Sequence, residues 1–344
     1  MSDPIRVLMV TTLWPTPGGG PRTTYFVKRQ AEFLQAAGVL VDVFHFRGRR
    51  NPWNYLSAWW RLRRRLARGC YDLVHAQFGP SGTITFPKRL PLVLTLRGSD
   101  LLGEIGDGGR YTRVGRLLQR VSRAVAGQAD AVIVVSEHMK AELPAGVAAH
   151  VIPSGIDFTQ FRPIPRDEAR RRLALPLDRH LVLFAGSPEW PRKRYALARQ
   201  AVDLLSHTLP ADLIVAWGVP HDDMPYFMSA CDALVFTSMQ EGSPNVVKEA
   251  LACNLPVVSV AVGDVADRLH GVAGCELCAD ERPETIAAAL ERVLRRGGRA
   301  DGGRAAVQEL DERVLTQRVI DIYRSIMRSP RSSGSVVEAP HALP

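Results

Sequence analysis

The stretch from Glu241 to Glu249, EGSPNVVKE, lies between two hydrophobic segments and decides the fold of the second half of the chain. The flanking segments, CDALVFTS and LPVVSVAV, are short and rich in β-branched residues, which is typical of parallel strands buried on both faces. Ser243 predicts an N-cap and Pro244 a first helical position, so a helix is expected from Pro244 to Cys253. Strand, helix and strand in this order indicate a doubly wound α/β sheet.

The two glutamates of this stretch are candidates for ligand binding. Glu241 precedes the helix at the carboxyl end of a strand, where open α/β sheets bind ligands. Glu249 lies further along, and a helical side chain leans back toward the N-terminus. Between them, an anion site is predicted from the helix dipole and the free backbone N–H groups of Asn245, Val246 and Val247. Gly242 and Ser243 in the loop belong to the same predicted site. A diphosphate with hydroxyl groups at both ends, such as a nucleotide-sugar, fits this arrangement.

At this point the sequence resembles a known family. Glu241 to Glu249, continued by ALACNLPVVSVAVGD, is similar to the E-x7-E signature of the retaining family 4 glycosyltransferases. Val151 to Phe161, VIPSGIDFTQF, resembles the VIPNGVD linker of that family, with Ser154 where asparagine is usual. The resemblance implies the GT-B fold, an α/β architecture with two Rossmann-like doubly wound domains facing a central cleft. It also implies nucleotide-sugar-dependent hexosyl transfer with retention, from a UDP- or GDP-linked donor, with no cofactor and no metal.

The resemblance assigns roles at the donor side. Lys193 matches the lysine that binds the donor diphosphate, while Ser187 stands where the family has arginine, and Arg192 or Arg194 is a candidate to supply that charge. Glu241 would orient the hydroxyls of the donor sugar and Glu249 those of the ribose. The nucleotide base would lie beside Val219. Gly19 and Gly20 belong to a glycine-rich loop, PTPGGGP, that would approach the donor phosphate and the acceptor.

Two strand ends supply the predicted acceptor side. YDLVHAQF carries His75, and the segment Arg97-Gly98-Ser99-Asp100 follows the next strand. The family usually has His-Gly-x-Asp here, with the histidine near the reacting sugar, and Arg97 replaces it. Arginine cannot act as a general base, but it can neutralise a phosphate or bind an acidic sugar. Arg97 is therefore placed with Lys193 and Glu241 among the predicted catalytic residues, and His75 and Asp100 on the acceptor side.

The sequence predicts four segments. An acceptor-side Rossmann-like domain is expected over residues 1–160 and a nucleotide-sugar-binding domain over 161–312. A helix over 313–328 is expected to cross back to the first domain. Residues 329–344 are rich in serine and proline, which predicts disorder.

Charge and hydropathy limit the location and partners. The net charge of +9 suits an anionic membrane or an acidic substrate, and nucleic acid is not expected because no nucleic-acid motif accompanies the charge. Asn54 to Arg68 predicts a helix with Tyr55, Trp59, Leu62 and Leu66 on its core face. Its arginines, with Trp53 and Trp60 beside the core face, allow either a solvated surface or peripheral contact with an anionic membrane. Without a signal peptide or an apolar span, the expected location is the cytoplasm, including the inner face of the membrane.

Alternatives remain open at this stage. The acceptor is expected to be a sugar or a lipid-linked saccharide of cell-surface or exported polysaccharide or glycolipid biosynthesis, and a small-molecule acceptor is the second choice. A nucleotide-sugar epimerase shares the fold, and the changes at Arg97 and Ser187 allow a nucleotide-sugar-binding pseudo-enzyme.

Overall fold

The computed structural model describes residues 3–15, 25–48, 51–106 and 109–328. The predicted glycine loop with Gly19 and Gly20, and the predicted tail 329–344, lie outside the described residues.

The first half of the chain forms a six-stranded parallel sheet with the order β2-β1-β3-β4-β5-β6. Its strands are β1 Arg6–Thr11, β2 Leu40–His45, β3 Leu73–Gln77, β4 Leu92–Leu96, β5 Ala131–Val134 and β6 Ala149–Val151. Its helices are α1 Tyr25–Ala36, α2 Pro52–Arg68 and α3 Arg113–Ala126, with 3-10 helices at Gly79–Thr85 and Glu137–Glu142. The residues of β3 and β4 are fully buried, because helices cover both faces of a parallel sheet.

Helix α2 illustrates how local sequence sets an element. The side chain of Asn51 accepts a hydrogen bond from the Trp53 N–H at 3.0 Å, and Pro52 occupies the first turn. The helix thus begins two residues before the predicted Asn54. Leu62 is buried, and Tyr55, Trp59 and Leu66 pack against the core, which confirms the predicted core face.

The second half forms a five-stranded parallel sheet with the order β11-β10-β9-β7-β8. Its strands are β7 His180–Phe184, β8 Ala211–Val215, β9 Ala233–Phe236, β10 Val257–Ser259 and β11 Glu276–Leu277. Its helices are α4 Arg166–Arg172, α5 Tyr195–Leu205, α6 Met224–Ala230, α7 Asn245–Ala252, α8 Val265–Leu269, α9 Pro283–Arg296 and α10 Gly303–Ala306. The two α/β sheets agree with the predicted fold class.

Helix α11, Glu312–Arg328, returns to the first sheet and packs on α1. Leu315, Val319 and Tyr323 are buried in the same core as Val27 and Leu34 of α1. Where the chain enters and leaves the second sheet, the two segments pair: the Ile156 N–H donates to Leu310 O at 2.8 Å, and the Glu312 N–H donates to Ile156 O at 3.0 Å. The division at residues 160 and 312 stays a prediction, and the two sheets lie on either side of its first boundary.

One predicted cap is wrong. Pro244, not Ser243, is the residue immediately before α7, and it makes no side-chain cap. The Ser243 hydroxyl donates instead to the Asp264 carboxylate at 2.8 Å. This bond fixes the loop before α7 to the turn before α8, so the first N–H groups of α7 receive no serine cap.

Candidate functional site

A cavity of about 1640 Å³ lies between the carboxyl edges of the two sheets. Residues that follow strands of both sheets line it, among them Leu13, Phe78, Arg97, Trp217 and Glu241. Parallel strands bring their carboxyl ends to one edge, which is why segments so distant in sequence meet here. The volume exceeds the ~300–1,000 Å³ of ordinary ligand pockets, so the cavity has room for two substrates.

At the second sheet, two cations converge on Glu241. The Lys193 ammonium lies 2.6 Å from the Glu241 carboxylate and the Arg192 guanidinium lies 2.9 Å from the same oxygen. Burial would raise the pKa of Glu241, but the adjacent Lys193 and Arg192 outweigh it and hold that pKa below its usual range. Glu241 is therefore ionised, and it holds two cations close to the N-terminal end of α7.

The other predicted donor residues are placed around this pair. Asn245 lines the cavity together with Gly242 and Ser243, and its side-chain oxygen is buried without a hydrogen-bond partner among the described residues. Val246 and Val247 lie in the first turn of α7, where their side chains join the core of the second sheet. Their backbone N–H groups are the part that a ligand can use.

The structure does not place Ser187 at the cavity surface. Its side chain is fully buried, and its hydroxyl accepts from the Glu189 N–H at 3.3 Å. The predicted donor contact of Ser187 stays a prediction. Arg194 is also directed away: it donates to Thr237 O at 2.5 Å and pairs with Glu281. Arg192 is thus the arginine that joins Lys193.

Glu249 is buried on the inner side of α7 and does not line the cavity. Its carboxylate lies 3.7 Å from the Arg29 guanidinium and 3.9 Å from His221 Nε2. Val219, the predicted neighbour of the base, is partly buried against the core just before His221. The predicted ribose contact of Glu249 stays a prediction, and it requires the Arg29 contact to open.

The first sheet contributes Arg97, whose guanidinium makes four hydrogen bonds. Nε and one terminal nitrogen donate to the Gln77 side-chain oxygen at 3.1 and 2.6 Å, and that nitrogen also donates to Gln30 at 2.9 Å. The other terminal nitrogen donates to the Ser154 hydroxyl at 2.7 Å. Burial lowers the pKa of Arg97 to about 10, so the group stays charged at neutral pH.

His75 is held inside the first half of the chain by two hydrogen-bond partners, and its predicted acceptor role stays a prediction. Its ring is fully buried; Nδ1 is 2.6 Å from the Tyr323 hydroxyl of α11 and Nε2 is 2.7 Å from the Thr95 hydroxyl. Burial, assisted by the nearby Arg97 charge, lowers the pKa of His75 to about 3. The neutral ring joins α11 to the first sheet.

Asp100 is likewise buried and holds the strand-end loop together. Its carboxylate accepts from the backbone N–H groups of Gly79, Arg97, Gly98 and Leu101, at 3.0, 3.0, 2.9 and 3.1 Å. Burial raises its pKa, and these N–H donors oppose the rise. Asp100 therefore shapes the loop that carries Arg97, and its predicted place on the acceptor side stays a prediction.

The cavity wall includes Phe78, which the sequence places at a strand end among the candidate site residues, and two tryptophans that the sequence interpretation missed. Phe78 has φ of +84°, a strained conformation for a non-glycine residue, and such strain costs about 1–3 kcal/mol and concentrates at functional sites. Trp190 and Trp217 lie edge to face with ring centres 5.1 Å apart at the opposite side of the cavity. Only the aromatic character of these residues next to strand ends could have marked them.

Two features are absent from the described residues. No group of three or more His, Cys, Asp or Glu side chains is arranged to hold a metal ion. No helix in the described part of the chain is long and apolar enough to cross a membrane.

A two-domain cleft of this kind defines a GT-B protein, and solved structures agree. Sucrose-phosphate synthase from Thermosynechococcus elongatus matches with a TM-score of 0.80 at 20% identity, over 94% of this chain and 99% of that one. HepE of Anabaena, solved in complex with UDP and glucose, matches with a TM-score of 0.68 at 18% identity, over 93% of this chain and 100% of that one. At these identities the likeness concerns the fold.

Sequence comparison gives the family. Residues 9–160 match Glycosyltransferase Family 4, and residues 172–296 match Glycosyl transferases group 1. Both models describe glycosyltransferases, and together they span the two sheets, which confirms the resemblance that the sequence predicted.

Curated relatives carry two kinds of name. The teichuronic acid biosynthesis glycosyltransferase TuaC of Bacillus subtilis is 30% identical over 219 residues, which cover 57% of this chain and 54% of TuaC. This chain thus matches about half the length of TuaC. D-inositol 3-phosphate glycosyltransferase 1 of Catenulispora acidiphila is 27% identical over 319 residues, covering 77% of this chain and 75% of the relative.

Proposed function

We propose that the chain transfers a sugar, with retention of configuration, from a nucleotide-diphosphate sugar to an acceptor. One observation carries this proposal: Lys193 and Arg192 both contact Glu241, close to the N-terminal end of α7. It supplies two cations for a leaving diphosphate and one carboxylate for sugar hydroxyls. HepE, a protein of the same fold, was solved in complex with UDP and glucose, and this favours a uridine nucleotide as the donor here.

The proposed mechanism needs stabilisation of the leaving group. As the glycosidic bond breaks, negative charge develops on the nucleoside diphosphate, and Lys193, Arg192 and the N–H groups of α7 stabilise it. Glu241 orients the hydroxyls of the donor sugar as it becomes oxocarbenium-like. His75 has both ring nitrogens bonded and is buried, so it is not the base. The leaving phosphate then takes the acceptor proton during attack from the same face.

A nucleotide-binding experiment tests this proposal. We expect UDP or GDP to raise the melting temperature of the purified chain, and the shift to be unchanged by EDTA, because lysine and arginine neutralise the diphosphate. A sugar transferred to an acceptor would separate the transferase from an epimerase, which alters the donor alone, and from a pseudo-enzyme. Absence of a shift with both nucleotides and with their sugars would refute the donor site.

For the acceptor, we propose a saccharide of polysaccharide or glycolipid assembly, as the TuaC relative suggests. A small-molecule acceptor is the second candidate, because relatives named for D-inositol 3-phosphate match a larger share of the chain. Parallel incubation of the chain and donor with oligosaccharide and inositol phosphate acceptors separates the two.

We also propose that α2 contacts an anionic membrane surface. Trp53, Leu56 and Trp60 recur on one face of the helix and are 74%, 48% and 58% exposed. Exposed arginines, Arg61, Arg64 and Arg68, lie on the same helix. Aromatic residues with arginines suit the interface of an anionic bilayer, and contact there would bring lipid-linked acceptors to the enzyme.

Charge reversal tests the membrane contact. Replacing Arg61, Arg64 and Arg68 by glutamate should abolish co-sedimentation with vesicles that contain anionic lipid, because each basic residue near such a surface contributes ~1 kcal/mol. Arg65 is unsuitable for this test, since it pairs with Asp42 and Tyr71. Reversal of Arg199 on α5 is the control. Equal binding by the triple variant and the wild type would reject the contact.

A further inference from the structure

Arg97 is a half-buried cation of the cavity wall, and its guanidinium, within the described residues, donates hydrogen bonds to neutral oxygens. We propose that it binds a carboxylate or phosphate group carried by one of the two reacting sugars, so that the enzyme acts on an anionic sugar. This inference rests on the proposed function and adds the chemical class of its substrate.

The partners of Arg97 are all neutral. Within the described residues, its guanidinium donates only to the side-chain oxygens of Gln77, Gln30 and Ser154. Gln77 is fully buried and its own amide donates to Gln30 at 2.7 Å, so the two glutamines form a rigid pair. They orient the guanidinium without neutralising it.

The position of Arg97 places this charge at the reacting centre. Arg97 lines the same cavity as Glu241, and its backbone oxygen would lie 3.0 Å from a Cβ at Gly242. The first-sheet and second-sheet loops therefore meet beside the predicted sugar site. The Cζ atom of Arg97 lies 4.8 Å from the centre of the Phe26 ring, which covers one face of the guanidinium.

Energetics favours an anion here. The carboxylates of Glu312 and Asp100 stabilise the charge of Arg97, yet burial still lowers its pKa to about 10, and its guanidinium hydrogen bonds go to Gln77, Gln30 and Ser154. An anion in direct contact with the guanidinium would offset the remaining cost of desolvation. Arg192, another cation of the cavity wall, differs because it is paired with Glu241, as is the neighbouring Lys193. A guanidinium held in one orientation is suited to carboxylate or phosphate recognition, and a substrate anion would give Arg97 a directly bonded partner of opposite charge.

A purely structural role is the competing explanation, because the bond to Ser154 also fastens the linker between the sheets. Gln77→Glu separates the two explanations. The change is isosteric, keeps an oxygen acceptor for Arg97, and places a negative charge on it. The change also removes the amide donor to Gln30, so a structural role predicts an equal loss of binding for glucose and for the anionic probes, whereas anion recognition predicts a loss for the anionic probes alone.

The test is calorimetric titration of the UDP-saturated protein with three probes: glucuronate, glucose 1-phosphate and glucose. We expect the wild type to bind at least one anionic probe about tenfold or more tightly than glucose, and Gln77→Glu to remove that preference. The affinity for UDP should be the same in both proteins. Gln128→Glu, which adds the same charge on the exposed surface, should keep the preference.

The outcomes are distinct. A preference for glucuronate alone identifies a carboxylate, and one for glucose 1-phosphate alone identifies a phosphate. Equal binding of all three probes by the wild type, or an unchanged preference in Gln77→Glu, overturns the proposal. Weaker UDP binding in Gln77→Glu would assign the anion to the donor diphosphate and also overturn it. If UDP does not bind to the wild type, the donor site fails, and the probe preference measured without UDP still decides the role of Arg97.

Discussion

Lys193→Ala is expected to lower kcat by about 10³-fold, because it removes one preorganised cation from the leaving diphosphate. Lys193 lies 2.6 Å from Glu241 and is held at the cavity edge by that pair. In the variant, Arg192 still reaches Glu241 at 2.9 Å, so the carboxylate stays ionised and in place. The loss should therefore appear in turnover at saturating donor, with a smaller loss of UDP affinity measured by calorimetry.

Arg199→Ala is the matched control for Lys193→Ala. Arg199 lies on α5, directly after the Lys193 loop, but it is exposed and pairs with Asp203. Its removal should leave kcat within about twofold, since exposed ion pairs contribute little. A Lys193→Ala variant with near-normal turnover and an unchanged melting temperature would contradict the assignment of Lys193 to the leaving group.

The second large effect is a loss of stability in mild acid that originates at His75. Burial lowers its pKa to about 3, from 6.5 in the unfolded chain, so the folded state binds fewer protons than the unfolded state between these values. Stability therefore falls as the pH drops below 6.5. From pH 7 to pH 5 this single group should cost ~2 kcal/mol of unfolding free energy, from 1.36 kcal/mol per pKa unit.

Urea denaturation at pH 7 and pH 5 measures this contribution. His75→Gln, whose amide can still meet Tyr323 and Thr95, should lack most of the pH-dependent loss, whatever its stability at pH 7. His138→Gln is the control, because His138 is exposed and its change should keep the wild-type pH dependence. The prediction fails if wild type and His75→Gln lose equal stability between the two pH values.

The strands, the helix of the E-x7-E segment and the family resemblance could be predicted from the sequence, because each is encoded in a short stretch of neighbouring residues. Lys193 and Glu241 could also be named from the sequence as site residues. The ion pair between them could not, because it forms only when two loops that are 48 residues apart come together. Such a contact follows from the sheet order, which the local pattern does not specify.

The placements that the sequence does not predict share a physical cause. The sequence puts His75 and Asp100 at strand ends, where polar residues usually face a cleft. The structure covers His75 with Tyr323, which lies 248 residues away, and turns Asp100 toward backbone N–H groups. The hydroxyls of Ser243 and Ser187 bind Asp264 and the Glu189 N–H. Each placement depends on a partner that the local sequence does not reveal.

The return of α11 to the first sheet has a consequence for how the chain is made. During synthesis the ribosome releases β1 to β6 well before α11, yet Leu315, Val319 and Tyr323 belong to the core around α1. Until they emerge, that side of α1 has no cover and His75 lacks its tyrosine partner. The core of the first sheet therefore stays incomplete while the second sheet is translated. This makes α1 of the nascent chain a candidate site for chaperone binding.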